Sequence, residues 1–174
     1  MPELIEPTVD LRDSWMESSD EWGSASQDGA GLHEATDDVS TADGFAAWVE
    51  RLRLQSDESF EIAPDRVHAT YWWIVEDGNY LGAITLRHAL TDRLLEGGGH
   101  IGYGVRPSAR GRGLAAWALG QVAEIARARG MDRVLITCDE DNKASAKTIE
   151  RNGGVLEDIR QTWLGTTRRY WIAL

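Results

Sequence analysis

The sequence contains a glycine-rich loop that could bind an anion, at residues Arg110-Gly111-Arg112-Gly113-Leu114-Ala115. Glycines let a ligand approach the backbone closely, because they have no side chain. The first amides of a helix lack an intrahelical acceptor and lie at the positive end of its dipole, so they can donate to a phosphate or pyrophosphate. The two arginines add positive charge. We therefore predict a phosphate-binding loop, with an ordinary glycine-rich helix start as the structural alternative.

Two common nucleotide-binding motifs are absent from the sequence. A dinucleotide-binding fingerprint requires Gly-x-Gly-x-x-Gly, and the stretch 102–107 has Pro107 where the last glycine belongs. The pattern Gly-x-x-x-x-Gly-Lys-Ser/Thr does not occur either. The predicted anion is therefore not bound in either of these two ways.

The elements around this loop predict an α/β protein with the order β-β-β-α-β-α-β-β behind two N-terminal helices. The spacing of apolar residues predicts helices at 11–22, from Thr41 or Asp43 onward, at about 115–130 and at about 142–152. Strands are predicted at 71–75, 80–86, 100–106, 133–138, 155–163 and 167–172. An Asp77-Gly78 turn joins the first two strands, and the small, polar run 23–31 is predicted to be a mobile loop.

Three residues of the glycine-rich loop, Arg110, Gly113 and Ala115, match the signature Arg/Gln-x-x-Gly-x-Gly/Ala. On these residues the chain resembles the GNAT superfamily of acetyl-CoA-dependent N-acetyltransferases. The resemblance extends over residues 71–172 and includes two further motifs, Val105-x-Pro107 and Asp141-Asn142-x-x-Ser145. A subgroup of predicted acetyltransferases is similar at Gly99-His100-Ile101-Gly102-Tyr103 and at Asn152-Gly153-Gly154.

The resemblance implies the GNAT fold: a single mixed, mostly antiparallel central sheet of about six to seven strands, flanked by about four helices and splayed between its fourth and fifth strands. It also implies acetyl-CoA as co-substrate, without a metal. The pantetheine arm would lie between the strands that end near Val105 and Cys138, and the pyrophosphate on the amides of 112–116. The residues assigned to acetyl-CoA are Val105, Arg106, Arg110, Gly111, Arg112, Gly113, Leu114, Ala115, Ala116, Asn142 and Ser145.

Acetylation of an amine requires the loss of a proton, because an amine with a pKa near ~10 is mostly protonated at neutral pH. His100 is the first candidate base, since its ordinary pKa lies near ~6.5 and several GNAT enzymes have Glu or His early on this strand. Alternatively, His100 has a structural role and orders the turn at 97–99. Glu76, Asp139 and Glu140 are rival candidates. The resemblance also places an amide that binds the thioester oxygen on the same strand.

The leaving thiolate lacks the acid that many GNAT members supply. That acid is a Tyr seven residues after the Asn, and counting from Asn142 reaches Ile149. Tyr103 or Ser145 could replace it. Cys138 is predicted to be a packing residue rather than a nucleophile, because no His is obviously paired with it.

Charge divides the chain into two parts of one predicted domain, residues 1–174. The 174 residues have a net charge of −11 and a pI near 4.8. Residues 1–65 contain 17 acidic and 3 basic side chains, whereas residues 66–174 contain 12 acidic and 15 basic ones. We expect the first part to face a cationic acceptor and the second to bind acetyl-CoA, with a solvated acidic surface as the alternative. Trp15 and Trp22 are candidates for the acceptor pocket.

The same composition argues against several other classes of protein. An acidic chain does not favour nucleic acid or an anionic membrane, and no apolar stretch approaches the ~20 residues that span a bilayer. The start at 1–6 lacks the basic residues of a secretion signal, so we expect a cytoplasmic protein. His33, His68 and His88 show no metal-ligand spacing with the single cysteine, Cys138.

The function predicted from the sequence is transfer of acetyl from acetyl-CoA to a primary amine, by direct attack through a tetrahedral intermediate. The expected acceptor is a small cationic metabolite or an amine-bearing antibiotic. A protein lysine or N-terminal acetyltransferase is one alternative, and a non-catalytic protein that binds acetyl-CoA or a cation is another. A homodimer is one assembly expected for the chain.

Overall fold

A computed structural model describes residues 1–32 and 37–174. Its helices are α1 (Arg12–Trp22), α2 (Ala42–Leu54), α3 (Asp92–Glu96), α4 (Leu114–Ala128) and α5 (Lys143–Arg151). Its strands are β1 (Glu3–Ile5), β2 (Ala69–Glu76), β3 (Asn79–Arg87), β4 (Ile101–Val105), β5 (Arg133–Asp139), β6 (Val155–Thr162) and β7 (Gly165–Ala173). The predicted fold class and element order are confirmed.

Two short elements were missed by the sequence analysis. β1 has only three residues and is held by antiparallel pairing with β2. No local sequence pattern predicts this pairing. α3 has five residues and lies in the predicted polar loop at 91–99, where the side chain of Thr91 caps it by accepting from the amide of Leu94 at 3.2 Å. Both elements therefore depend on contacts that a periodicity analysis does not detect.

The strands form two antiparallel sheets, ordered β1-β2-β3-β4 and β5-β7-β6. Among the described residues, the sheets meet only where β4 begins, at an isolated bridge between Gly99 and Ile136. There the amide of His100 donates to the carbonyl of Leu135 at 2.7 Å. Beyond this point the described strands β4 and β5 are not paired. The predicted splay between the fourth and fifth strands therefore divides the sheet into two sheets.

Two hydrophobic clusters fix the layers around the first sheet. One cluster packs α4 and α5 against both sheets and includes Leu119, Val122 and Ile149. The other is aromatic and packs α1 and α2 on the opposite face of β2 and β3. Its fully buried members include Trp15, which contacts Trp48 with ring centroids 5.0 Å apart. The expectation that Trp15 lines an acceptor pocket is therefore wrong, because its ring is part of the core.

The predicted mobile loop at 23–31 is packed against β4 in its second half. The carbonyl of Gly29 accepts a hydrogen bond from Thr85 Oγ1 at 2.5 Å, and Ala30 is buried. A Cβ added at Gly29 would lie 2.6 Å from the Gly102 carbonyl oxygen, and one added at Gly104 would lie 2.8 Å from the Asp28 carbonyl oxygen. Glycines on both sides thus permit a backbone contact that side chains would prevent.

Candidate functional site

The gap between β4 and β5 has a narrow end at residues 98–100. The side chain of Arg87 donates to the carbonyls of Gly98 and Gly99 at 3.2 and 3.0 Å, and the amide of Gly98 donates to Thr137 Oγ1 at 3.0 Å. Gly99 has φ +65°, and a Cβ there would lie 2.5 Å from the Leu135 carbonyl oxygen. A turn of glycines therefore holds the two strands together at one end only.

The amides of β4 alternate between the neighbouring strand and this gap. Arg106 donates from its amide to Leu81, and the carbonyl of His100 accepts from the amide of Arg87, each at 2.7 Å. In an antiparallel ladder, pairing residues alternate along the strand. Since the even-numbered residues pair with β3, the amides of Tyr103 and Val105 face the gap. They provide donors where the sequence analysis expected a site for an oxyanion.

The 110–115 loop presents backbone at the open end of the gap. Gly111 and Gly113 are exposed, have φ +78° and +79°, and an added Cβ at either would meet no atom within 4 Å. The first helical bond of α4 runs from the amide of Trp117 to the carbonyl of Gly113 at 3.0 Å. The amides of 114–116 precede that bond, so they lack helical acceptors. The loop therefore combines open space with donors, as an anion site requires.

The two arginines of the loop are both held by other parts of the chain. Arg112 forms an ion pair with Glu76, and this hydrogen bond from Arg112 lowers the pKa of the Glu76 carboxyl. Arg110 donates from Nε to the Val105 carbonyl at 3.1 Å, and its guanidinium lies 4.8 Å from the ring centroid of Trp22. Glu76 is thus placed beside the loop, and its lowered pKa makes it a weak base.

Arg106, predicted to contact acetyl-CoA, is bound to α1. Its Nε donates to the Glu21 carboxylate at 2.7 Å, and its Nη2 donates to the Glu17 carboxylate at 3.5 Å. Glu21 also accepts from the amide and hydroxyl of Ser108, and the amide contact is the main cause of its lowered pKa. Two acids of the N-terminal segment therefore anchor α1 to the strand end.

Tyr103 and Ser145 meet across the gap, one from β4 and the other from the first turn of α5. Their hydroxyl oxygens are 2.7 Å apart. Burial raises the pKa of Tyr103 to about 12, so its phenol stays protonated at neutral pH. The structure brings together the two residues that the sequence analysis named as replacements for the missing acid.

Ile149 and Cys138 both belong to the core beside this pair. Ile149 is fully buried, so the position at which the sequence analysis looked for the acid faces the interior. Burial raises the pKa of the Cys138 thiol. A thiol with a raised pKa is a poor nucleophile, which agrees with the packing role predicted for it.

Asn142, another residue assigned to acetyl-CoA, caps α5. Its side-chain oxygen accepts from the amide of Ser145 at 3.1 Å. This bond satisfies one free amide of the first turn and fixes the backbone of Ser145. Asn142 thereby also positions the hydroxyl that contacts Tyr103.

His100 lies at the narrow end of the gap rather than at its open end. Its Nδ1 accepts from the amide of Leu135 at 2.8 Å, and its side chain is almost fully buried. Burial, together with the positive charges of Arg87 and Arg133, lowers its pKa to about 4. With Nδ1 engaged, the neutral ring carries its proton on Nε2. This geometry favours the structural alternative, while the base role remains a prediction.

Asp28 belongs to the 23–31 segment that packs on β4, and Asp139 ends β5, the strand across the gap. Asp28 is solvent-accessible, yet desolvation raises its pKa and the charge of Asp139 adds to the effect. Trp22 is half-buried on the same face, where its Cη2 would lie 3.2 Å from a Cβ at Gly104. Sequence analysis identified Asp139 and Trp22 but missed Asp28, because its segment was taken for a mobile loop.

Two further features concern only the part of the chain that the structure describes. Within it, no group of three or more His, Cys, Asp or Glu side chains could hold a metal ion. His33, which entered the metal prediction, lies outside the described residues. No helix within residues 1–32 or 37–174 is long and apolar enough to cross a membrane.

Comparison with known proteins identifies related domains. The family model for the acetyltransferase (GNAT) domain matches residues 13–155. A search of curated protein sequences finds no match.

Solved acetyltransferase structures have a similar fold. The microcin C7 self-immunity acetyltransferase MccE, in complex with acetyl-CoA and AMP, has a TM-score of 0.72 and 16% identity, over 99% of this chain and 92% of its own. RimL, the ribosomal L7/L12 α-N-protein acetyltransferase, in complex with coenzyme A, has a TM-score of 0.73 and 17% identity, over 99% and 94%. The ribosomal-protein-S5-alanine acetyltransferase of Vibrio fischeri has a TM-score of 0.71 and 16% identity, over 99% and 91%. At these identities the likeness shows the fold.

The lowered pKa of His100 predicts a pH dependence of stability. Between pH 6.5 and about 4 the unfolded chain binds a proton at His100 and the folded chain does not, so folding becomes less favourable as the pH falls. His100→Asn keeps an acceptor for Leu135 and does not titrate. In urea unfolding, we expect wild type to lose about 2–3 kcal/mol relative to this variant over that range. Parallel pH profiles would contradict the prediction.

Proposed function

The chain belongs to the GNAT acetyltransferase family, and we propose that it transfers the acetyl group of acetyl-CoA to a primary amine. The observation that carries this proposal is the exposed 110–115 loop at the start of α4, beside the open end of the gap between β4 and β5. Acetyl-CoA has a pyrophosphate, which needs an anion site such as this loop, and an extended pantetheine arm, which needs a groove such as this gap.

The 110–115 loop fits the pyrophosphate of acetyl-CoA. Gly111 and Gly113 leave open space, and the amides of 114–116 supply donors at the positive end of α4. The pantetheine arm would then enter the gap and place the thioester near Tyr103. MccE and RimL, which have this fold, bind acetyl-CoA and coenzyme A in their complexes.

Attack by the amine creates negative charge on the thioester oxygen. The amides of Tyr103 and Val105 face the gap and can donate to that oxygen. One such donor can contribute about 3 kcal/mol to the transition state. The N–C bond then forms, the C–S bond breaks, and the electron pair stays on sulfur.

The Tyr103–Ser145 pair supplies the proton for the departing sulfur. Burial raises the pKa of Tyr103 to about 12, so the phenol is protonated at neutral pH and can donate to the sulfur as the C–S bond breaks. Ser145 can return a proton to it, since the two hydroxyls are 2.7 Å apart. This pair replaces the acid that is missing at Ile149.

The acceptor is a primary amine whose first candidate is a small cationic metabolite or an amine-bearing antibiotic. The carboxylates of Asp28 and Asp139 near the gap favour an ammonium group. A protein N-terminus is the second candidate, supported by the similarity to acetyltransferases of ribosomal proteins. A lysine side chain carries the same charge and remains within this second class.

Blocking the 110–115 loop tests the acetyl-CoA site. Gly113→Leu fills the open space and should weaken acetyl-CoA binding at least 10-fold in calorimetry, by roughly 1.4 kcal/mol or more. Gly130→Leu is the matched control, because Gly130 also has a positive φ and open space but lies beyond the other end of α4. Equal affinities of the two variants would reject the assigned loop.

A panel of amines tests the reaction and the acceptor class together. Release of free coenzyme A should be measured with polyamines, aminoglycosides, lysine peptides, and peptides that begin with Ser or Ala, with correction for the Cys138 thiol. Mass spectrometry identifies the acetylated product. Turnover of polyamines or aminoglycosides supports the first candidate, and turnover of peptides that stops when the N-terminus is blocked supports the second. Acetyl-CoA binding without any turnover across the panel would favour the non-catalytic alternative.

Removing the Tyr103 hydroxyl tests the proton donor. Tyr103→Phe keeps the packed ring, so acetyl-CoA affinity should stay unchanged while kcat falls about 10-fold or more. Tyr170→Phe is the control, because it removes a hydroxyl that bonds Glu150 outside the gap. An unchanged kcat in Tyr103→Phe would mean that the sulfur leaves as a free thiolate.

A further inference from the structure

The segment that carries Asp28 is fixed to the strand that borders the gap. Gly29 is held by the bond from Thr85, and the backbone of 28–29 lies against Gly102 and Gly104 without intervening side chains. Asp28 therefore cannot move far from β4. Its only side-chain hydrogen bond within the described residues is a long one from the Ser26 hydroxyl, at 3.4 Å, so the carboxylate is free to bind a ligand.

The negative charge of Asp28 affects titratable groups on both sides of the gap. It interacts with Asp139 at the end of β5, with Tyr103 on β4, and with Arg87 near the narrow end. Asp28 is accessible to solvent, but the surrounding chain removes enough water to raise its pKa. Asp139 raises this pKa further, whereas Ser26 and Arg87 lower it. Asp28 is therefore an accessible carboxylate with a raised pKa, held against the strand that borders the gap.

We propose that Asp28 binds the ammonium group of the acceptor and removes its first proton. The inference rests on the proposed amine acetylation and assigns a further catalytic residue to it. The 28–30 segment covers the face of β4 opposite the side chain of Tyr103, because side chains alternate along a strand. An amine held by Asp28 can thus approach the gap from one face while Tyr103 serves the sulfur from the other.

The proton transfers balance in this arrangement. The acceptor ammonium gives one proton to the Asp28 carboxylate, and the neutral amine attacks the carbonyl carbon of the thioester. The new N–C bond leaves a second proton in excess on nitrogen, and this proton passes to water. The Tyr103–Ser145 pair gives one proton to the sulfur as the C–S bond breaks and regains one from water. Asp28 then releases its proton to water. The products are the amide, coenzyme A as the thiol, and one proton.

The other candidate bases are less suitable for this step. Glu76 is paired with Arg112 beside the 110–115 loop, and its pKa is lowered. His100 uses Nδ1 to accept from Leu135 at the narrow end of the gap. Asp139 is exposed at the end of β5, where its negative charge strengthens the basicity of Asp28 and attracts the ammonium.

Replacement of Asp28 tests the proposal. Asp28→Asn keeps the shape of the side chain and leaves the backbone contacts of 28–29 intact. With the best acceptor of the panel, we expect kcat at pH 7 to fall about 100-fold. Asp20→Asn is the control, since Asp20 is an exposed acid on the neighbouring helix α1 and outside the site. An Asp28→Asn variant with at least half of wild-type kcat at pH 7 would overturn the proposal.

The pH profile separates proton removal from simple binding. In wild type, kcat should reach its plateau once Asp28 is ionised. In Asp28→Asn, kcat should continue to rise with pH until the acceptor amine itself loses its proton near its own pKa, so the two enzymes converge at high pH. An increase in KM with an unchanged kcat profile would assign Asp28 to binding alone and would reject the base role.

A measurement without any acceptor keeps the inference separate from the proposed function. Carbon-13 titration of the Asp28 carboxyl, with coenzyme A present, should give a pKa above the ordinary value of about 3.9. A value at or below it would overturn the base role even if no acceptor is found. Failure of wild type to bind acetyl-CoA would instead overturn the proposed function.

Discussion

The separation of β4 from β5 is the constraint on which the rest of the structure depends. Backbone amides and carbonyls in the middle of a sheet normally pair with a neighbouring strand. Here the turn at 98–100 joins the strands at one end, through the bonds of Gly98 and His100 to β5, and Arg87 orders the turn by donating to two of its carbonyls. Past that turn, no strand in residues 1–32 or 37–174 pairs with the gap-facing amides of β4, which leaves them available for a substrate.

Glycine controls how closely the other segments approach this gap. At Gly102 and Gly104 the absence of side chains lets the 28–29 backbone lie directly on β4. At Gly111 and Gly113 the same absence leaves open space for a ligand instead. One residue type thus serves two purposes, and the difference between them is whether another part of the chain fills the space.

The acidic N-terminal part of the chain is divided between structural and functional charges. Glu17 and Glu21 bind Arg106, and Glu58 binds His88 and Arg129, so these carboxylates hold elements together. Asp28 has no such ion pair among the described residues and lies near Asp139 and the gap. The net charge therefore overstates the number of acids that can attract an acceptor. The acceptor-side role of residues 1–65 stays a prediction, and it rests mainly on the side chain of Asp28.

The sequence by itself determined the order of the elements, the 110–115 loop and the family. These features are local: apolar spacing predicts helices and strands, Asp77-Gly78 favours a tight turn with positive φ, and Gly113 permits the left-handed start of α4. Only the tertiary structure decided the environment of each titratable group. His100 is buried against Leu135, Glu76 is paired with Arg112, and Asp28 is held on β4 by contacts between residues far apart in the chain. A pKa depends on burial and on neighbouring charges, and both arise from packing, which no local pattern in the sequence records.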